Sequence, residues 1–327
     1  MLARADTARL CAASMLFVLA AHAQSLPDTV SPPKAINLGR TSFFDGFGRT
    51  DEGFTWLQYG RYDEFDRITT ADGQNSPVFK GTRIQVFSEI TQVVFSSGWH
   101  PFGGDTVGFT VAEPVIGLDP SFAAGSPVKL TGRGVERGDV MWGPGYQSRI
   151  YRRRGRPVFS FRLQLMISSP VGAFKPSQSL NQGSGFWGLN PYIAMTYLPT
   201  ARLEVSTRLN YQYSFATSNL ANPPRVPGII YTSGQAGQVV YGNIASSYEI
   251  APKIRLGVNG YFLQSLTPDR TNNHFVRGSE VSEFSLGPGG RYTFDPDNAL
   301  NVNVYFPIVS RNATSGAQFN FQVTHRF

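Results

Sequence analysis

The last dozen residues, Gly316 to Phe327, constrain this chain more than any other stretch. Written as an extended backbone, Phe319, Phe321, Val323, His325 and Phe327 fall on one side, and Gln318, Asn320, Gln322, Thr324 and Arg326 on the other. The period is two, one face is apolar, and the chain stops on a bare aromatic. A helix cannot sort residues this way.

The same rhythm recurs upstream. In 202–213, Leu203, Val205, Thr207, Leu209, Tyr211 and Tyr213 share one side, and Arg202, Glu204, Ser206, Arg208, Asn210 and Gln212 the other. Ile254, Leu256, Val258 and Phe262 oppose Lys253, Arg255 and Asn259. Leu300, Val302, Val304 and Phe306 oppose Asn301, Asn303 and Tyr305, and Phe159, Phe161, Leu163 and Leu165 oppose Ser160, Arg162 and Gln164. Charges of both signs on one face and none on the other is the pattern of a wall with lipid outside and a wet lumen inside.

Strands are expected at 54–65, 83–95, 106–118, 139–151, 158–168, 187–198, 202–215, 238–250, 253–266, 281–294, 299–309 and 318–327, about twelve in all, with ten to fourteen as the range. Glu113-Pro114 predicts a bulge in the third or an early end to it. Long breaks rich in Gly, Pro, Ser and Asn (66–82, 119–138, 169–186, 216–237, 267–280) alternate with short ones (152–157, 199–201, 251–252, 295–298). Outer-membrane barrels have long extracellular loops and short periplasmic turns, so both ends of the chain are expected on the periplasmic side. The connections 96–105 and 310–317 fit this alternation less well. Trp56, Tyr59, Trp142, Trp187, Tyr197, Tyr213, Phe294 and Phe327 lie near strand ends, where interfacial aromatic girdles belong. The fold expected is an all-β, antiparallel up-and-down transmembrane barrel over residues 54–327, with outer-membrane lipid around it and the Phe327 strand read by the assembly machinery.

Ahead of the barrel, residues 1–23 read as a cleaved signal peptide: Arg4 and Arg9, an apolar run from Cys11 to Ala21, and Ala21-His22-Ala23 before Gln24. Cys11 is the single cysteine, so the mature chain would hold no thiol or disulfide. Residues 24–53 alternate poorly and form an irregular segment that packs at the periplasmic mouth, with Phe43, Phe44 and Phe47 as a candidate gate.

The net charge of +7 falls to +6 once the leader's two arginines and one aspartate are removed. These charges are scattered along an exported chain, which argues against nucleic acid. His22, His100, His274 and His325 include no zinc spacing, and no HExxH or acidic calcium loop occurs. A membrane-embedded hydrolase would need His100 or His274 to meet a serine. No catalytic, metal or cofactor residues are expected, and the protein reads as a non-enzyme. What remains is the lumen, lined on this reading by Arg83, Glu89, Arg149, Arg162, Gln164, Arg202, Glu204, Arg208, Asn210, Arg255, Asn259 and Arg291. These form either a structural charge network filling a sealed barrel that serves surface contact, or a cationic route suited to anionic or aromatic solutes. The Arg152–Arg156 run reads as a solvated turn.

The chain also resembles a family, the outer-membrane phenol meta-pathway degradation proteins known as transporters. The residues concerned are Thr41-Ser-Phe-Phe-Asp-Gly-Phe-Gly48 with Phe54-Thr-Trp-Leu-Gln-Tyr59, Asn181-Gln-Gly-Ser-Gly-Phe-Trp-Gly-Leu-Asn-Pro-Tyr192 through Met195-Thr-Tyr-Leu-Pro199, Leu256-Gly-Val-Asn-Gly-Tyr-Phe262 and Phe284-Ser-Leu-Gly-Pro288. The resemblance implies an outer-membrane barrel with a role in the uptake of aromatic or other hydrophobic compounds; separately, the barrel is expected to be a monomer. The resemblance supplies no catalytic or substrate-binding residue.

Overall fold

The computed structural model describes residues 29–30, 36–223 and 225–327. The expected leader, with Cys11 and His22, and the Ser31-Pro-Pro33 stretch lie outside the described residues.

Alternation becomes twelve barrel strands: β1 Gly53–Ile68, β2 Arg83–Ser96, β3 Thr106–Ser121, β4 Val140–Gln147, β5 Arg156–Ser169, β6 Gly188–Tyr197, β7 Leu203–Ser214, β8 Val239–Ala251, β9 Ile254–Ser265, β10 Ser282–Thr293, β11 Asn298–Arg311 and β12 Thr314–Arg326. Each pairs antiparallel with the next, and β12 returns to β1 with Gln322 opposite Tyr59 and Phe319 opposite Tyr62. The sheet therefore has no open edge. That closure is what lets strands cross hydrocarbon, since every backbone N–H and C=O finds its partner within the wall. No described helix is long and apolar enough to span a membrane.

Side-chain burial inverts the arrangement of a water-soluble protein. Along β7, Glu204, Ser206, Arg208, Asn210 and Gln212 are buried, whereas Val205 and Leu209 are exposed. Leu163, Leu165, Leu256, Val258, Phe306, Ile308 and Phe319 are also exposed, which makes the outer face of these strands apolar, as a lipid-facing wall requires. Trp187, Tyr197, Phe294 and Phe327 stand outward near strand ends. Tyr59 does not belong with them: it is buried inside the barrel, because the inward row of β1 is the odd one, with Arg61 and Asp63.

Four residues expected in the lumen are elsewhere. Arg83 and Glu89 lie on the outer wall, Arg83 paired to Glu64 at 3.2 Å and Glu89 accepting from Gln58 Nε2 at 2.7 Å. Both rows of β2 mix polar and apolar residues, so parity was ambiguous. Ile84, Ser88 and Ile90 take the inner side because the barrel interior there is apolar protein and not water. Arg149 and Arg202 sit exposed in turns outside the strands.

The third strand does not end early. It runs on through Pro114, opposite Ile90, and the irregularity falls on its other side: β4 pairs with 106–112, while the short strand Gly134–Arg137 pairs with 115–118. Pro114 has no N–H to offer, and its carbonyl accepts from Gly138 N at 2.8 Å where the partner chain steps across.

At the barrel end that holds Phe327, connections are tight. In the arginine run, Tyr151–Arg153 pairs back on β5, and the turn places Arg154 at φ 52° and Gly155 at φ 78°. Two successive left-handed residues match the twist of a hairpin, which explains the Gly and leaves Arg152–Arg154 solvated. In 294–297, hydrogen bonds from the Asn298 side chain and the Asp297 N–H hold the Asp295 carboxyl below its usual range. At the opposite end, long loops fold over the mouth. There Gly234–Gln235, Arg270–Thr271 and His274–Phe275 form a small sheet, and Phe186, Leu220, Ala236 and Val30 pack together. The connections 97–105 and 312–313 depart from the long and short alternation, as the sequence indicated.

Replacing Leu209 by Arg should destabilise the barrel by about 2–4 kcal/mol if this position lies near the bilayer midplane. Reversible denaturant unfolding in lipid measures it. A loss below about 0.5 kcal/mol would mean that Leu209 does not face hydrocarbon.

Candidate transport lumen

An irregular stretch has no sheet partner, so its backbone polar groups must be satisfied by something else. Here the inner wall does it. Thr29, among the outer loops, accepts from Ala221 N and lies 3.2 Å from Thr271 Oγ1. From Ile36 the chain descends through the lumen. Gly39 N donates to Asn243 Oδ1 (2.7 Å), and the Gly39 carbonyl accepts from Asn320. Ser42 Oγ lies 2.6 Å from Asn259 Oδ1 and 3.1 Å from Asn303 Oδ1. Phe44 N donates to Glu204 (3.0 Å) and Gly46 N to Thr196 Oγ1 (2.8 Å). Arg49 reaches the Phe327 carbonyl at the far end. The segment thus runs the length of the barrel and does not stop at one mouth. The first described residues consequently lie at the loop end, opposite the C-terminus, and not at the shared end that the loop parity had suggested.

Its central anchor is Asp45. One carboxylate oxygen accepts from Arg208 Nη2 at 2.6 Å and from Arg162 Nη2 at 3.1 Å, the other from Arg208 Nε at 2.7 Å. The forked contact with Arg208 is nearly sealed from solvent, with 5% of the Arg208 and 7% of the Asp45 side chain exposed. A buried pair of this kind holds geometry tightly, since removing one partner strands the other's charge. One position earlier, Phe44 adopts φ 62°, a left-handed backbone that bulky residues avoid. Its ring is held between the Arg255 and Arg291 guanidiniums, 4.9 and 5.2 Å from the ring centroid. Phe43 is buried and Phe47 packs 6.0 Å from Phe44.

Most of the segment's hydrogen bonds go to β6–β12. Beside it lie two narrow spaces, the outer one lined by β1–β8 and the inner one by β1–β5 together with β10–β12. The outer one is walled by Tyr59, Ile90, Ala112, Met141, Met166 and Tyr192, with Arg40 and Arg208 also lining it. The inner one lies among Phe43, Phe47, Leu57, Arg162, Gln164 and Arg326. Arg208 lines the outer space, while Asp45 and Arg162 line the inner, so the ion triad stands at the partition. The volume open to a water-sized body is about 50 Å³ outside and 80 Å³ inside. A benzene-sized guest occupies roughly 150 Å³, so neither space admits one with the segment seated.

Of the residues expected to line the lumen, Arg162, Gln164, Glu204, Arg208, Asn210, Arg255, Asn259 and Arg291 face inward. Sequence reading missed Asp45, Arg40, the Arg61–Asp63 pair (2.6 Å) and the asparagines 243, 303 and 320 that cradle the segment. Asp45 stands as a lone acid within an aromatic run, but nothing in its local sequence names its partners. Among the described residues no cluster of three or more His, Cys, Asp or Glu gathers. His100 Nδ1 contacts the Asp105 carbonyl, and His274 lies in the small loop sheet.

A closed twelve-stranded barrel with a largely apolar exterior, a polar lumen and a chain segment threaded through it has the fold of an outer-membrane β-barrel. A family model described as "Putative MetA-pathway of phenol degradation" matches residues 65–323, and the chain belongs to that family. Among solved structures, the COG4313 outer membrane channel from Pseudomonas putida F1 superposes with a TM-score of 0.71 at 10% identity, over 87% of this chain and 98% of that one. The beta domain of the Bordetella autotransporter BrkA gives 0.49 at 10% identity, over 85% and 100%. No curated protein sequence matches the chain.

Asp45→Asn should weaken docking of residues 36–48 by about 3–5 kcal/mol, the usual consequence of breaking a buried ion pair on one side. Hydrogen exchange reads this directly. Protection of the Gly39 and Gly46 amides should fall while that of the barrel strands is kept, and unchanged protection would show that Asp45 is not the anchor.

Proposed function

We propose that the protein carries small hydrophobic or aromatic molecules inward across the outer membrane through its lumen, with residues 36–48 as an internal gate seated in the closed position. The observation that carries this is the uneven interior. The segment binds the polar side of the lumen, and the side it leaves free is the apolar strip of Tyr59, Ile90, Ala112, Met166 and Tyr192. A lumen built only for water and ions has no use for such a strip, whereas an apolar solute needs one continuous surface to follow. Membership of a family described by phenol degradation supports the aromatic class.

Because the resting spaces are smaller than an aromatic ring, passage requires the segment to shift, and the Asp45 triad is where that shift is resisted. The Phe43–Phe47 cluster moves with it. On this reading the protein is a channel and not an enzyme, is exported by its N-terminal leader, is folded by recognition of the Phe327 strand and works as a monomer. A sealed barrel serving surface contact is the competing reading, favoured by the small resting volumes.

Two measurements separate the readings. Proteoliposomes with the native protein should take up phenol faster than protein-free vesicles, and Asp45→Asn should raise both this rate and single-channel conductance several-fold. No uptake of phenol, catechol or toluene by native protein, together with no conductance gain in the variant, would leave the sealed barrel as the correct account.

A further inference from the structure

Arg40 is the residue that the interior leaves unfinished. It is 5% exposed, sits on the segment within the lumen and lines the outer chamber. One nitrogen, Nη2, donates to Ser88 Oγ at 2.8 Å, and among the described residues neither Nε nor Nη1 has a hydrogen-bond partner. Its neighbours are treated differently. Arg208, which lines the same chamber, is neutralised by Asp45 through two nitrogens, and Arg61 is neutralised by Asp63. A buried guanidinium with two idle nitrogens and a single neutral partner is costly, and such groups persist where something else completes them.

The geometry points to a binding site for a planar aromatic carboxylate that opens in the outer chamber when the segment shifts enough to widen it, its oxyanion on Arg40 Nε and Nη1 and its ring against Tyr59, Ile90, Met166 and Tyr192. The charge requirement comes from Arg40. The ring requirement comes from the chamber wall, where three tyrosines (Tyr59, Tyr192 and Tyr241) and two methionines (Met141 and Met166) offer flat or adaptable apolar contact. Since Arg40 belongs to the segment that must shift, an anion held there engages the gate itself. This inference rests on the transport reading for its biological role and narrows the solute class from aromatic molecules to aromatic acids.

Binding and passage are measured separately. Detergent-purified native protein, Arg40→Gln and Arg40→Lys are titrated calorimetrically with benzoate, with benzyl alcohol as the neutral analogue and acetate as the anion without a ring. Benzoate should bind the native protein at least tenfold more tightly than it binds Arg40→Gln, with partial recovery in Arg40→Lys. Benzyl alcohol should change less than twofold among the three, and acetate should bind at least tenfold more weakly than benzoate. Equal benzoate affinity in native protein and Arg40→Gln, no benzoate binding to native protein, or acetate binding as tightly as benzoate each overturns the site. Removing an unpaired buried charge leaves no partner stranded, so Arg40→Gln should fold, and retention of compact, heat-modifiable gel migration checks it. Ser88→Ala, which removes the hydroxyl that accepts from Arg40 without touching its charge, is a second variant and should keep benzoate affinity within threefold; a larger loss would count against the site. If benzoate binds through Arg40 while proteoliposomes take up neither benzoate nor benzyl alcohol, the site stands and the transport reading falls. If benzyl alcohol is taken up but benzoate affinity ignores Arg40, transport stands and the site falls.

Discussion

Backbone polar groups cannot go unpaired in hydrocarbon, and this one demand shapes the whole molecule. It closes twelve strands into a ring, because an open edge would expose a row of N–H and C=O groups to lipid. It also governs what can lie inside. Residues 36–49 have no regular structure, so they can cross the membrane only where side chains stand in for a sheet partner. The inner rows of β6 to β12 supply them: Asn243, Asn259, Asn303, Asn320, Thr196 and Glu204 each meet the segment. The asparagine-rich interior is therefore a template for one particular piece of chain as much as a wet lining. A water-filled pore would not need amides at those positions.

The same template makes the segment's hold local and breakable. Many of its contacts are modest neutral hydrogen bonds, such as those to Asn243, Asn259, Asn320 and Thr196, each worth about 1 kcal/mol net. Superimposed on them are one charged lock at Asp45 and one strained residue at Phe44. Strain at φ 62° favours release, and the Arg255 and Arg291 faces on the ring oppose it. An element held by many weak bonds and one strong one detaches when the strong one is disturbed. That is the arrangement expected of a gate and not of a permanent filler, which would bury apolar side chains on every side.

How far this could be read from the sequence depended on what each strand faces. In β5, β7, β9, β11 and β12 the two rows differ sharply, and the facing inferred from alternation is the facing observed. In β2 it failed for Arg83 and Glu89, because the rule "charged means inward" assumes that the interior is wet all round. In β1 it failed for Tyr59, taken for an interfacial aromatic. Asp45 was illegible for another reason: its partners lie 117 and 163 positions away, on strands whose register only closure fixes. The path of 36–49 through the lumen carries no periodic signal, since an irregular chain satisfied by foreign side chains leaves no pattern in its own residues.

The two failures at β1 and β2 have one cause, and it bears on what the barrel is for. On β2 and β3 the usual arrangement is turned over. Ile84, Ile90, Ala112 and Ile116 face in, while Glu89, Thr91 and Glu113 face out, joined by Gln58 of β1. Placing carboxylates and amides on a lipid-facing wall opposes membrane insertion, and the outward groups offset part of this by bonding to one another: Gln58 to Glu89, Thr91 to Gln58, and Arg137 to Glu113 at 2.7 Å. Exchanging the two rows would put Glu89 and Glu113 into the polar lumen, but it would also turn inward Phe87, Val93, Phe109 and Val111, which now face out. The arrangement makes sense if the inner surface of this sector is required to be apolar. That surface is the same one the threaded segment leaves uncovered, which ties the departure from barrel chemistry on the outside to the solute path proposed for the inside.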